Sequence, residues 1–295
     1  MATGLFDNHA HMGPRDMVDA AAARQQTGFP KNPPDAMYGA DSNLEAMDRL
    51  GIEHRVLSLP PLLYGYELEA SAQPEHCRRL NDWIVEATED DRLLPMGLLP
   101  LGAPESVSVE LDRCIDQLGM HYFAIGTHVD GAHLDDLVPD AVWQRLDEVG
   151  ALVMMHPWNQ RDIERLDAYG LDNTLGIPFE TAVAAARLIG AGVMTRHDRL
   201  NIMLAHGGGA LMGVLDRMDK AWMVFGKGEK GPKPSDVARK FYYDTVVFAP
   251  EHLQFLGEFA GPDHLLFGTD SPFGMGIVDP ESQFAATGIK VRDTV

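Results

Sequence analysis

The chain has 295 residues, 45% of them hydrophobic, and 24 Lys and Arg against 44 Asp and Glu give a formal charge of −20. That acidity argues against nucleic acid or an anionic membrane surface as a partner, and it requires any anionic substrate to be drawn in by a local cation. No apolar run approaches the roughly 18 residues of a membrane span, no basic segment followed by an apolar stretch opens the chain, and the two cysteines, Cys77 and Cys114, fall in helical patterns, so free thiols and a cytoplasmic setting are expected.

The first predicted strand, 5–12, ends in His9-Ala10-His11. Side chains on a strand alternate with period two, so His9 and His11 project to the same side, an arrangement that suits two imidazoles on one metal ion. The stretch from Pro14 to Asp41, with Gly28-Phe29-Pro30 and Asn32-Pro33-Pro34, is a small insertion or loop over the mouth of the fold. Further β-rich runs follow at 54–60, 93–101, 122–129, 151–157, 200–207, 241–248 and 265–272. Helical patterns at 43–50, 75–89, 105–117, 140–149, 179–190, 211–223 and 251–259 lie between them. Strands alternating with helices in this way predict a single α/β domain over 1–295, a (β/α)8 TIM barrel. A doubly wound open sheet is the alternative, but no Gly-x-Gly-x-x-Gly follows the first strand to support dinucleotide binding. The stretch from Phe225 to Asp236 is predicted as a mobile basic loop, and the residues beyond Pro272 barely hold a complete last helix, so a shortened C-terminus is expected.

In a barrel the chemistry lies at the C-terminal ends of the strands. Those ends carry His9, His11, His128, His156 and His206, five of the 12 histidines, together with Asp270. His156 follows Leu152-Val153-Met154-Met155, a run expected inside the barrel, where an imidazole needs a partner; Asp270, after Leu265-Leu266-Phe267, has the same need more sharply. His128 fits a hydrogen-bonded rim position equally well. The three glycines after His206 permit close backbone approach, or keep a helix N-terminus open for an anion. Three imidazoles and one carboxylate suit one borderline divalent ion, Zn²⁺ first and Mn²⁺ second, with a position left for water. His206 then fits better as an acid/base than as another ligand. No lysine ends the fourth strand, so one metal is expected rather than two bridged by a carbamylated lysine.

The order His9-x-His11, His156-Pro157-Trp158, His206-Gly207-Gly208-Gly209 and Gly268-Thr269-Asp270-Ser271-Pro272-Phe273 resembles the amidohydrolase superfamily. More narrowly, it is similar to the branch of aminocarboxymuconate-semialdehyde decarboxylase and related metal-dependent decarboxylases, over nearly the whole chain from Leu5 to Gly274. The resemblance implies His9, His11, His156 and Asp270 as metal ligands and His206 with Asp270 as the catalytic groups. It also implies Arg217, Phe273 and Trp158 as substrate-binding residues, with Arg217 reaching the substrate carboxylate of a neighbouring subunit in a homodimer. Three departures stand out: only Arg24 and Lys31 are available where the family's first insertion carries a second carboxylate-binding arginine, Asn173 stands in place of a tryptophan, and the final helix with its Gly-Asn-Ala segment is missing. They point away from aminocarboxymuconate semialdehyde itself. The expected activity is non-oxidative decarboxylation of a small unsaturated or aromatic carboxylate; the alternative is a hydrolase or hydratase using a metal-bound hydroxide on a small molecule.

Overall fold

The computed structural model describes residues 4–24, 30–158, 163–225 and 231–295. The apolar runs form eight parallel strands: β1 (Leu5–His11), β2 (Ile52–Ser58), β3 (Leu93–Leu98), β4 (Tyr122–Ile125), β5 (Leu152–Met155), β6 (Asn201–Leu204), β7 (Tyr242–Asp244) and β8 (Leu265–Leu266). Each pairs with the next in chain order. β1 returns to the chain around β8 through Asn8 N–H to Phe267 O at 2.8 Å, Asp270 N–H to His9 O at 2.7 Å and His11 N–H to Ser271 O at 2.7 Å. This closure excludes the open doubly wound sheet and makes the molecule the expected (β/α)8 barrel. All four residues of β5 are buried, as a parallel strand covered on both faces requires.

The outer layer contains α1 (Arg15–Ala23), α2 (Ala40–Leu50), α3 (Gln73–Ala87), α4 (Pro104–Asp116), α5 (Leu134–Leu137), α6 (Asp140–Val149), α7 (Ile177–Gly190), α8 (Val193–Arg196), α9 (Leu215–Phe225), α10 (Pro234–Ala238), α11 (Pro250–Ala260) and α12 (Pro280–Thr287). The main helices turn one stripe inward: α3 buries Cys77, Leu80 and Ile84, and α4 buries Val107, Leu111 and Cys114, at the three- and four-residue spacing of a helical face. Both cysteines are buried and free, and burial pushes both thiols up. No helix among the described residues is long and apolar enough to cross a membrane.

Several local expectations change. The insertion from Pro14 to Asp41 is not all loop, because Arg15–Ala23 is helical; Gly28 and Phe29 lie outside the described residues. The predicted helix at 211–223 starts only at Leu215, because Gly207, Gly208 and Gly209 all take positive φ and the chain turns through Ala210 to Val214 before it can wind. The open helix N-terminus expected directly after the triglycine is therefore not there. Within the predicted basic loop, Phe225 ends α9 and Pro234 opens α10, while residues 226–230 lie outside the described residues. After β8 a short final helix, α12, does form; Asp279 caps it by accepting from Ser282 N–H at 3.0 Å. Its sequence, PESQFAAT, has no clear apolar stripe to announce it.

Candidate metal centre

The barrel closure places the histidines of β1 against the chain that follows β8. Gly268 is required there: a Cβ on it would lie 2.8 Å from His9 Cβ, so only glycine lets the two segments approach this closely. His9 Nε2 and His11 Nε2 are 3.1 Å apart, and Asp270 Oδ1 lies 3.4 Å from the first and 3.1 Å from the second. The His156 ring stands edge-on to both, with centroids at 5.0 and 5.2 Å. One ligand atom from each of His9, His11, His156 and Asp270 falls within 4.8 Å of all the others, and all four residues are buried.

The outer ring nitrogens set the tautomers. His9 Nδ1 meets Asp244 Oδ2 at 2.6 Å, His11 Nδ1 meets Ser58 Oγ at 2.8 Å and Leu59 O at 3.3 Å, and His156 Nδ1 meets Pro157 O at 2.7 Å. With Nδ1–H donating outward, each Nε2 turns a lone pair inward, as a metal-binding imidazole must. His156 Nε2 is buried with no hydrogen-bond partner among the described residues, a costly arrangement that coordination relieves. Two inward lone pairs 3.1 Å apart likewise need a cation between them.

The field points the same way. Burial opposes charge on His9, yet its bond to Asp244 and the nearby Asp270 and Asp7 raise its pKa above the ordinary value. Burial lowers His11, and burial with the neighbouring imidazoles of His206, His9 and His11 pushes His156 well below the usual range. Burial would raise Asp270 and Asp244, but the hydrogen bond of His11 and the nearby His206 and His9 hold Asp270 well below the usual carboxylate range, and the hydrogen bond of His9 lowers Asp244. Buried anions that favour positive charge, together with the His11 and His156 imidazoles that burial keeps neutral, fit one divalent metal ion.

His206 sits beside this cluster with its Nε2 3.7 Å from Asp270 Oδ2 and its ring 4.9 Å from that of His156. Both His206 and Asp270 hold positive φ, 56° and 57°, without being glycine; strain of this kind persists where the surroundings over-determine the position. A cavity of about 640 Å³ opens onto His156, His206 and Asp270. Flat apolar groups wall it, including Trp158, Phe248, Phe273, Pro157 and Pro178. Phe273 packs edge-on against His11 at 5.0 Å. Trp158 is fixed by its indole N–H, which donates to His128 O at 2.6 Å.

The remaining sequence candidates lie apart. His128 is buried beside Trp158, with Nε2 3.6 Å from Glu180 Oε2, and is not among the four clustered residues. Arg217 is exposed on α9, and Arg24 and Lys31 are exposed as well; none of the three lines the cavity. Asn173 does line it. Sequence reasoning missed Asp244 and Ser58, which orient His9 and His11. Asp244 ends β7, and the strand-end argument applied to the histidines points to it equally well.

A family model described as amidohydrolase matches residues 7–291. The chain belongs to the amidohydrolase family. Within that family it sits with the metal-dependent decarboxylases and is an enzyme of the carboxy-lyase class. It is 29% identical to 2-amino-3-carboxymuconate-6-semialdehyde decarboxylase of Dictyostelium discoideum, over 93% of this chain and 76% of the relative. It is 31% identical to gamma-resorcylate decarboxylase of Rhizobium sp. (strain MTP-10005), over 86% and 83%. The structure of 2,6-dihydroxybenzoate decarboxylase complexed with 2,6-dihydroxybenzoate superposes with a TM-score of 0.85 at 27% identity, covering 99% of this chain and 95% of the other. A dihydroxybenzoic acid decarboxylase from Polaromonas sp. JS666, with bound manganese and the inhibitor 2-nitroresorcinol, gives 0.84 at 25%, covering 99% and 93%.

Proposed function

We propose that this amidohydrolase decarboxylates a small aromatic carboxylate, with His9, His11, His156 and Asp270 holding one divalent ion and His206 handling the proton. The observation that carries this reading is the flat-walled apolar cavity that ends on His156, His206 and Asp270. Its relatives that act on dihydroxybenzoates support it. The donor set suits Zn²⁺ as well as Mn²⁺, and the manganese of the Polaromonas enzyme supports the latter.

A bound ion supplies positive charge that orients the acidic end of the substrate and stabilises negative charge developing on it. Decarboxylation breaks the bond between a ring carbon and the carboxylate carbon. CO2 leaves, the electron pair stays with the ring, and one proton takes the vacated position. His206 lines the cavity and can present that proton from Nε2, where Asp270 Oδ2 stabilises the protonated ring at 3.7 Å. Trp158, Phe273 and the prolines hold the aromatic ring by face and edge contacts and keep water from competing for the proton. The exposed Arg217 is the candidate cation for a carboxylate in the cavity of a second copy, which makes the working unit a homodimer.

The test is CO2 release by metal-loaded protein from a panel of hydroxybenzoates and unsaturated acids, with metal content measured alongside. Release of CO2 from an aromatic member supports the reading; hydration of the unsaturated acids, or hydrolysis of the corresponding esters, without CO2 release from any acid overturns it in favour of the hydrolase or hydratase alternative.

A further inference from the structure

α7 is entered through a π-helical turn, Asp172–Gly176, which brings Asn173 and Thr174 to the cavity wall. Widened turns of this kind recur at functional sites. Among the described residues lining the cavity, the polar side chains are His156, Trp158, Asn173, Thr174, His206 and Asp270. Two of these are already committed elsewhere: the Trp158 indole N–H donates to His128 O, and the Thr174 hydroxyl donates to Gly170 O at 2.9 Å. His156 and Asp270 belong to the metal cluster, and His206 stands beside it. The Asn173 amide is half-buried and makes no hydrogen bond to any described residue.

A carboxamide in an apolar wall carries two donors and an acceptor. When a flat ligand covers it and removes its water, leaving those groups unpaired is costly. The matching partner is neutral and, like the amide, both donates and accepts; a ring hydroxyl meets that description. A hydroxylated ring is also the electron-rich kind that accepts a proton at carbon. We infer that Asn173 is a specificity-determining residue that hydrogen-bonds a hydroxyl on the substrate's aromatic ring. The inference rests on the aromatic-carboxylate reading and adds which substituent the site selects.

Metal-loaded wild-type protein and Asn173→Leu, which keeps the side chain's size and removes its polarity, are compared on ortho, meta and para hydroxybenzoates and the corresponding methylbenzoates. CO2 release and calorimetric binding are both measured. At one ring position the wild type should favour hydroxyl over methyl by about tenfold or more, and the variant should shrink that preference to about twofold by losing the hydroxyl acid alone. Asn173→Ala should show the same contrast, and matched melting curves and metal content show that both variants are folded. An unchanged preference overturns the inference, as does an equal loss on both acid series, which would make Asn173 a matter of cavity shape. If the wild type binds these acids without releasing CO2, the decarboxylase reading fails while the binding contrast still decides the role of Asn173. If it binds none of them, both fail.

Discussion

His9 Nδ1 lies 2.6 Å from Asp244 Oδ2, and neither side chain reaches solvent. The same carboxylate accepts from the backbone N–H groups of His206 at 2.9 Å, Gly207 at 2.7 Å and Val246 at 3.1 Å. One residue at the end of β7 therefore orients a candidate ligand and anchors the loop that carries the candidate proton donor. Asp244→Asn keeps the shape but weakens both roles, and it should lower metal affinity about 10–100-fold. Competition against a chelator of known affinity measures this; unchanged affinity would show that His9 needs no such support.

His206→Asn should retain metal and fold while losing about 10²–10⁴-fold in kcat, the usual contribution of a placed acid/base. Metal analysis and CO2 release on the same preparation separate the two effects. A variant that stays nearly fully active would falsify the assignment of the proton to His206.

His156→Ala removes the imidazole whose Nε2 has no hydrogen-bond partner among the described residues. Its metal content should fall to background. Adding the divalent ion at about a hundredfold excess over its dissociation constant should raise the melting temperature of metal-free wild type by about 4–5 °C and that of the variant hardly at all. Equal shifts in the two proteins would place the ion elsewhere.

Arg217→Met tests the homodimer reading. Because the side chain is exposed on α9, stability should change by less than about 0.5 kcal/mol. KM should rise about tenfold or more if a charged hydrogen bond to substrate is lost. Sedimentation should find wild type and variant as the same dimer; a monomer with full activity refutes the role.

Between α3 and α4, Arg113 Nη2 contacts Glu110 Oε1 at 2.8 Å and Nη1 contacts Asp82 Oδ1 at 2.6 Å. Asn81 bridges Glu110 to the backbone of Leu98 in β3. Arg113→Met leaves Glu110 buried and should cost about 3 kcal/mol. Arg113→Met with Glu110→Gln should recover part of that loss in denaturant unfolding, and no recovery would mean that the charge pairing is not the cause.

The barrel was legible because its strands are apolar runs punctuated by turns, and because polar residues at the ends of such runs have few reasons to be there. His9 and His11 show their shared direction through strand periodicity, and His156 and Asp270 stand out against the apolar stretches before them. Asp244 did not stand out, since its partner His9 lies 235 positions away and only closure of the barrel brings the two together. α12 was hidden because its eight residues carry no stripe, and the π-helical turn before α7 because no composition distinguishes it from an ordinary helix start. Asn173 departs from the family pattern in sequence, but that its amide is unpaired among the described residues follows only from the packing around it.

The triglycine turn has a wider consequence. Ala210 N–H donates to Pro178 O at 3.0 Å, and a Cβ on Gly209, where φ is +58°, would strike the Pro178 backbone. The segment bearing His206 and the entry to α7 bearing Asn173 are thus clasped main chain to main chain. Natural or laboratory evolution of new substrate scope in this scaffold is channelled towards exchanging side chains at positions such as 173 and 174. Insertions or deletions between 172 and 178 would drag the candidate proton donor out of register along with the wall, so the enzyme can change its taste readily and its loop lengths there hardly at all.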